Sequence, residues 1–199
     1  MPIRDEQGNQ CHHIVRLHLR SLGMPRVSEF SALANAQRTY GPHGICISFE
    51  SGMSMPQAVD TATQCVELVN VNVGTCLMNQ GTFNPTMTAQ QSAMFGIGDI
   101  QSIPPRNILA VWVENVRKED GTRLAGCASH PADRGACVVA AAGSLWTLAH
   151  EVGHVLGLTH ESGTRNLMST PTSSISTNPP ELSASQVATV KRSRYCQRV

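Results

Sequence analysis

The sequence has 199 residues, 41% of them hydrophobic and 15% charged, with a formal net charge of +1. That length fits one domain with room for a core and for a cleft between two lobes. Charges of both signs are interspersed apart from a short basic cluster (Lys191, Arg192, Arg194, Arg198), and aromatics make up only 4%, so neither the electrostatic footprint nor the stacking surface of a nucleic-acid binder is expected.

The first ten residues are polar and lack the apolar stretch of a signal peptide, which points to a cytosolic product or to a domain cut from a longer chain. His12 to Arg20 alternates, with Val15, Leu17 and Leu19 on one face, as in a half-buried strand, so His12, His13 and His18 read as strand residues and not as ligands. Val27 to Tyr40 carries Phe30, Leu33, Ala34 and Ala36 at near-helical spacing before the breaker Gly41-Pro42, and Ile45 to Phe49 follows as a second strand. Next come a short helix from Pro56, a strand from Val66 to Val73, a loop from Gly81 to Thr88 and a helix near Thr88 to Phe95. Asn107 to Val116 is rich in β-branched residues and is the clearest strand; Cys137 to Ala141 is another. A last helix starts at Ser183, with Gln186 completing a capping box, and runs to about Tyr195. The most apolar region, Val138 to Leu158, is interrupted by His150, Glu151 and His154, so no membrane span is expected.

Cysteines occupy positions 11, 46, 65, 76, 127, 137 and 196, with no CxxC pair. Scattered cysteines in this number favour disulfides in an oxidising compartment, such as the periplasm or a target cell, with at least one thiol left over. Reduced thiols acting as small apolar residues are the alternative. The expected local bridge is Cys127 to Cys137, across the loop GCASHPADRGAC.

The segment that carries chemistry is SLWTLAHEVGHVLGLTH, Ser144 to His160. Leu145, Leu148, Ala149, Val152, Val155 and Leu156 define one apolar face of a helix, with Thr147, His150, Glu151 and His154 on the other side. The i, i+4 spacing stacks the imidazoles of His150 and His154 one turn apart, so both reach one metal ion without distorting the backbone. Glu151 sits about 100° further round, beside a metal-held water, as a general base should. A continuing helix would turn His160 about 240° away from His154, so the helix must stop. Gly157 supplies the stop, because without a Cβ it adopts positive φ at little cost and redirects the chain. Three histidines then form an open zinc site, which suits catalysis better than a purely structural role. His43 and His130 have no partner at useful spacing and read as loop residues.

HEVGHVLGLTH at 150–160 resembles the metzincin signature, and Met168 in NLMS matches that family's methionine turn. Its distance from His160 and the LGLTH ending are similar to matrixins, whereas Glu161 is similar to astacins, whose tyrosine two positions beyond the methionine is missing here. The resemblance implies an α+β, metzincin-like (zincin) fold, a twisted mixed sheet with an active-site helix and a C-terminal helix. It implies one metallopeptidase domain over 1–199, with a sheet-containing upper part at about 12–157 and a short lower part at about 158–199. Met168 would form an apolar floor under the ligands, and a polypeptide substrate would lie extended along an edge strand near Gly135 to Ala141. The cysteine content, short methionine turn and missing export signal also look like the metallopeptidase effector domains of bacterial type VI secretion spike proteins, which would make the rest of a longer spike chain a partner.

The leading expectation is therefore a zinc endopeptidase. Two alternatives stay open: a binding or toxin module that keeps zinc as a staple, and a zinc hydrolase of a non-peptide amide or ester.

Overall fold

The computed structural model describes residues 3–5, 7–55, 67–76, 87–97 and 102–199. Strand β1 (His13–Ser21) lies between β2 (Ile45–Ser54) and β4 (Ile108–Val113) and runs parallel to both. Strand β8 (Gly135–Ala140) pairs parallel with the far side of β4, and β7 (Gly126–Cys127) adds antiparallel to β8, giving the order β2-β1-β4-β8-β7. A short strand β9 (Gln197–Arg198) pairs antiparallel with the start of β1. A second sheet joins β3 (Asn70–Asn72), β5 (Asn115–Arg117) and β6 (Arg123–Leu124) in that order.

Both faces of the main sheet are covered, and this explains the continuous apolar runs of β4 and β8, in which every residue is buried. One face packs Val15, Leu17 and Trp112 against helices α1 (Glu29–Tyr40), α3 (Thr147–Val155) and α4 (Ala184–Arg192). The other packs Leu109, Val111 and Val138 against Val71, Val116 and the helix α2 (Ala89–Phe95). The same cover buries the polar face of β1 beyond its start. His18 is only 8% exposed, held between Ser51 Oγ and Asn107 Nδ2 at 2.8 and 3.0 Å. The strand is thus buried on both sides over its second half, where alternation predicts one wet face.

Local capping sets the helix starts. Ser28 caps α1, Thr88 and Gln91 form a capping box on α2, and Ser183 with Gln186 forms the expected one on α4. Helix α4 ends at Arg192, short of Tyr195, because Ser193 leaves helical dihedrals. Phe30 does not face the core: the buried stripe of α1 runs through Ala32, Ala36 and Tyr40, about 200–280° further round. It is 69% exposed and meets Phe49 of β2 instead. Residues 67–69 form a 3-10 turn ahead of β3, so the strand expected from Val66 is shorter; the helix expected from Pro56 and most of the loop at 81–88 fall outside the described residues.

Two expectations fail, one through register and one through the addition of β7. The disulfides are Cys11–Cys46 and Cys76–Cys127, while Cys137 is a buried free thiol. Cys127 stands opposite Val138, and cross-strand partners share a face, so Cys137 points to the other side of the sheet and cannot reach Cys127. Likewise Gly135–Ala140 is not an edge. It is internal, between β4 and β7, and among the described residues the edge beside α3 is β7.

Candidate active site

Helix α3 crosses beneath the end of the sheet with its whole length buried. It starts at Thr147, whose Oγ1 accepts a hydrogen bond from Ser144 N at 2.8 Å, so Leu145 precedes the helix and is 45% exposed, not part of its apolar face. The helix ends in a Schellman motif. Gly157 N donates to His154 O and Leu158 N to Gly153 O, both at 2.9 Å, with Gly157 at φ +101°. This turn brings His160 back to the helix, as the spacing requires.

His154 Nε2 lies 3.0 Å from His150 Nε2 and 3.2 Å from His160 Nε2. Two of the imidazoles have fixed tautomers. His150 Nδ1 donates to Leu167 O and His154 Nδ1 to Leu158 O, each at 2.8 Å, which leaves both Nε2 atoms as bare lone pairs. Lone pairs facing each other at this distance repel unless a cation sits between them. Tetrahedral bonds of about 2.05 Å would separate the nitrogens by about 3.3 Å, close to the spacing seen, so these residues fit a zinc ion. Among the described residues this is the one His/Cys/Asp/Glu cluster able to hold a metal. Burial, outweighing the carbonyl bonds, pushes His150 down to about 4 and His154 down to about 3. Both imidazoles are therefore neutral and ready to bind at physiological pH. His160, on the exposed rim, is lowered by partial burial.

Glu151, the residue after His150 on α3, is 3% exposed, and its Oε2 has no hydrogen-bond partner. Burial raises its pKa to about 8. Directly over it lies the backbone of β7: a methyl group added at Gly126 would stand 2.6 Å from Oε1 and 2.8 Å from Cδ. Only glycine lets the edge strand approach the carboxylate this closely. Nothing in the local sequence marks Gly126, which the reading of motifs missed.

Met168 is fully buried in a turn closed by Ser169 N to Asn166 O at 3.1 Å. Its thioether approaches α3 between the two helical histidines, where a methyl on Gly153 would lie 2.8 Å from Sδ and 3.1 Å from Tyr40 Oη. Tyr40 donates to Ala149 O at 3.0 Å, tying α1 to the helix next to His150. Asn166 orients the turn by accepting from Met168 N at 2.8 Å, and its amide exchanges two bonds with Gln186. The residue that caps α4 thus also holds the methionine turn, a link that spacing alone does not reveal. His43 and His130 lie outside the cluster, His130 being buried against the Tyr195 ring.

No protein-family model matches the sequence, and no curated protein does. Solved structures do. Metalloproteinase-II from Bacteroides fragilis matches with a TM-score of 0.58 at 18% identity, over 96% of this chain and 56% of that one. The chain shares its fold with a metalloproteinase. A second structure, Archaemetzincin from Methanopyrus kandleri, matches with a TM-score of 0.53 at 14% identity, over 89% of this chain and 94% of that one. The chain thus spans a little over half the length of the Bacteroides protein, and at these identities the likeness is one of fold. Within this shared fold, Glu151 follows His150 on α3 and lies under Gly126 of β7.

Proposed function

We propose that the chain is a zinc-dependent endopeptidase of the metzincin type, with His150, His154 and His160 as ligands and Glu151 as general base. The observation that carries this reading is the convergence of three imidazoles, two with bare Nε2 atoms; Glu151, next to His150 on the helix, adds a buried carboxylate with an unpartnered oxygen. Zinc held by the three histidines would supply a Lewis acid for the scissile carbonyl and lower the pKa of a bound water towards about 7. Glu151, with its free oxygen, would serve as the proton acceptor and relay the proton to the leaving amine. A cation alongside favours the carboxylate form over the neutral form that burial alone favours. Leu167 O and Leu158 O hold the two helical imidazoles in the tautomer that ligation needs. Met168 packs the floor below them, and Gly157 delivers the third histidine.

A polypeptide substrate adds to the open side of β7 by β-augmentation, which sets its scissile bond over Glu151. The two disulfides accord with an oxidising compartment, and no described helix is long and apolar enough to cross a membrane.

The deciding experiment incubates the zinc-loaded protein and its Glu151→Gln variant with a diverse peptide library and maps cleavage by mass spectrometry. The variant keeps its zinc and loses cleavage. Undiminished cleavage by Glu151→Gln would refute the mechanism, and no cleavage by the wild type would favour a zinc-stapled binding module.

A further inference from the structure

We propose that the Cys76–Cys127 disulfide is a positioning element for substrate, clamping the edge strand β7 above Glu151 so that an extended peptide can pair with it. The inference rests on the peptidase reading above.

Strand β7 is short, and just before it β6 pairs with β5 in the second sheet. Strand β7 itself contributes two residues to the main sheet, Gly126 opposite Val139 and Cys127 opposite Val138, with one further bond from Ala140 N to Ala125 O at 2.8 Å. Its only strand neighbour among the described residues is β8. The chain leading into it, 121–125, is exposed or half-exposed, whereas 126–130 is buried throughout. The disulfide sits at that junction. Cys127 is fully buried and tied to Cys76, which follows β3 in the layer on the opposite side of the main sheet from α3. Short strand pairs are marginally stable alone, so a crosslink one residue from Gly126 decides how far the edge can lift from Glu151.

Cys76 supplies an independent observation. Among the described residues it is the only one other than glycine at positive φ, +44°. That conformation is costly for a side-chain-bearing residue and persists where the surroundings impose it. The Cys11–Cys46 bond provides the contrast: it ties the N-terminal segment to β2, the opposite edge of the sheet.

The test compares zinc-loaded wild type, Cys76→Ser/Cys127→Ala and Cys11→Ser/Cys46→Ser, reading zinc content, steady-state kinetics and amide exchange. In the first variant the 125–127 amides exchange faster and zinc stays at one per chain. KM rises about tenfold, the effect of one or two lost edge hydrogen bonds, while kcat stays within about twofold. The second variant keeps the wild-type KM and the wild-type exchange at 125–127. Unchanged exchange and KM in Cys76→Ser/Cys127→Ala overturn the proposal, as does an equal rise of KM in both variants. If that variant does not fold, wild type partly reduced with a phosphine gives the same comparison, the opened bond being identified by alkylation and mass spectrometry. A wild type that cleaves nothing refutes the peptidase reading, and the exchange measurement still decides whether the bond holds β7.

Discussion

Replacing Gly126 by alanine tests the contact between sheet edge and base. The new methyl would stand 2.6 Å from Glu151 Oε1, 2.7 Å from Cγ and 2.8 Å from Cδ. Ordinary carbon contacts begin about 3.5 Å apart, so the two groups must separate by roughly 0.7 Å or more. Neither is free to yield cheaply, because Glu151 is buried and Gly126 is bonded into β7. Overpacking of this kind costs about 1–3 kcal/mol of stability, or roughly 2–10 °C in Tm for a chain of this length. The catalytic effect is larger: a displacement approaching 1 Å in the reacting geometry lowers kcat/KM by about a hundredfold. Zinc content, set by histidines that Gly126 does not touch, stays at the wild-type level. The assay is kcat/KM on a cleaved peptide, alongside a thermal melt and metal analysis. A folded, zinc-loaded Gly126→Ala with wild-type kcat/KM would show that β7 does not set the base.

Three further outcomes are expected. Gly157→Ala meets no clash, since Thr189 Cγ2 lies 3.4 Å away, but it places a Cβ at φ +101°; the strain, about 1–2 kcal/mol, relaxes by moving His160 and weakens zinc about tenfold in chelator competition, where an unchanged affinity would contradict the role of the turn. Tyr40→Phe removes the bond to Ala149 O and lowers stability in urea by about 1 kcal/mol without changing zinc stoichiometry; loss of zinc would mean that the bond shapes the ligand geometry itself. In metal-free protein the site gives opposing pH effects. His150 and His154 titrate lower when folded, about 4 and about 3, than their ordinary 6.5, so their contribution is complete above about pH 6.5 and is lost as pH falls towards the folded values. Glu151 is raised from 4.5 to about 8, so its contribution is complete below about pH 4.5 and is lost as pH rises through 8. Urea melts of the chelated protein should peak near about pH 6.5, falling by several kcal/mol on the acid side and by about 2 kcal/mol on the basic side, and a stability that rises monotonically across that range would sink this account.

The site was legible in the sequence where its geometry is local. His150 and His154 share a helix face, Gly157 ends that helix and His160 follows within one turn, so spacing alone specifies their meeting. The Ser183–Gln186 box is local in the same sense. The edge strand is different: Gly135–Ala140 reads as a buried apolar run, but whether such a run is internal depends on β7, a two-residue strand with no periodicity to detect. The disulfide pairing turned on register, since a shift of one residue reverses the face on which Cys137 points. Phe30 and Leu145 lie at or before helix starts, where the apolar period continues past the element that creates it. Gly126 and Asn166 act through partners distant in the chain, and neither position carries a local signal.

The closing turn after α3 also bears on the order in which the molecule becomes competent. The three histidines of the triad belong to one helix and the turn that ends it, held by backbone bonds between near neighbours, and contacts of that kind form early. The strand that roofs Glu151 arrives from elsewhere, by pairing with β8 and by a crosslink to a different layer. The histidine cluster therefore depends on local structure, whereas the roof over Glu151 waits for the last edge of the sheet. On the reading proposed above, a newly made molecule holds its metal before it can cut its neighbours.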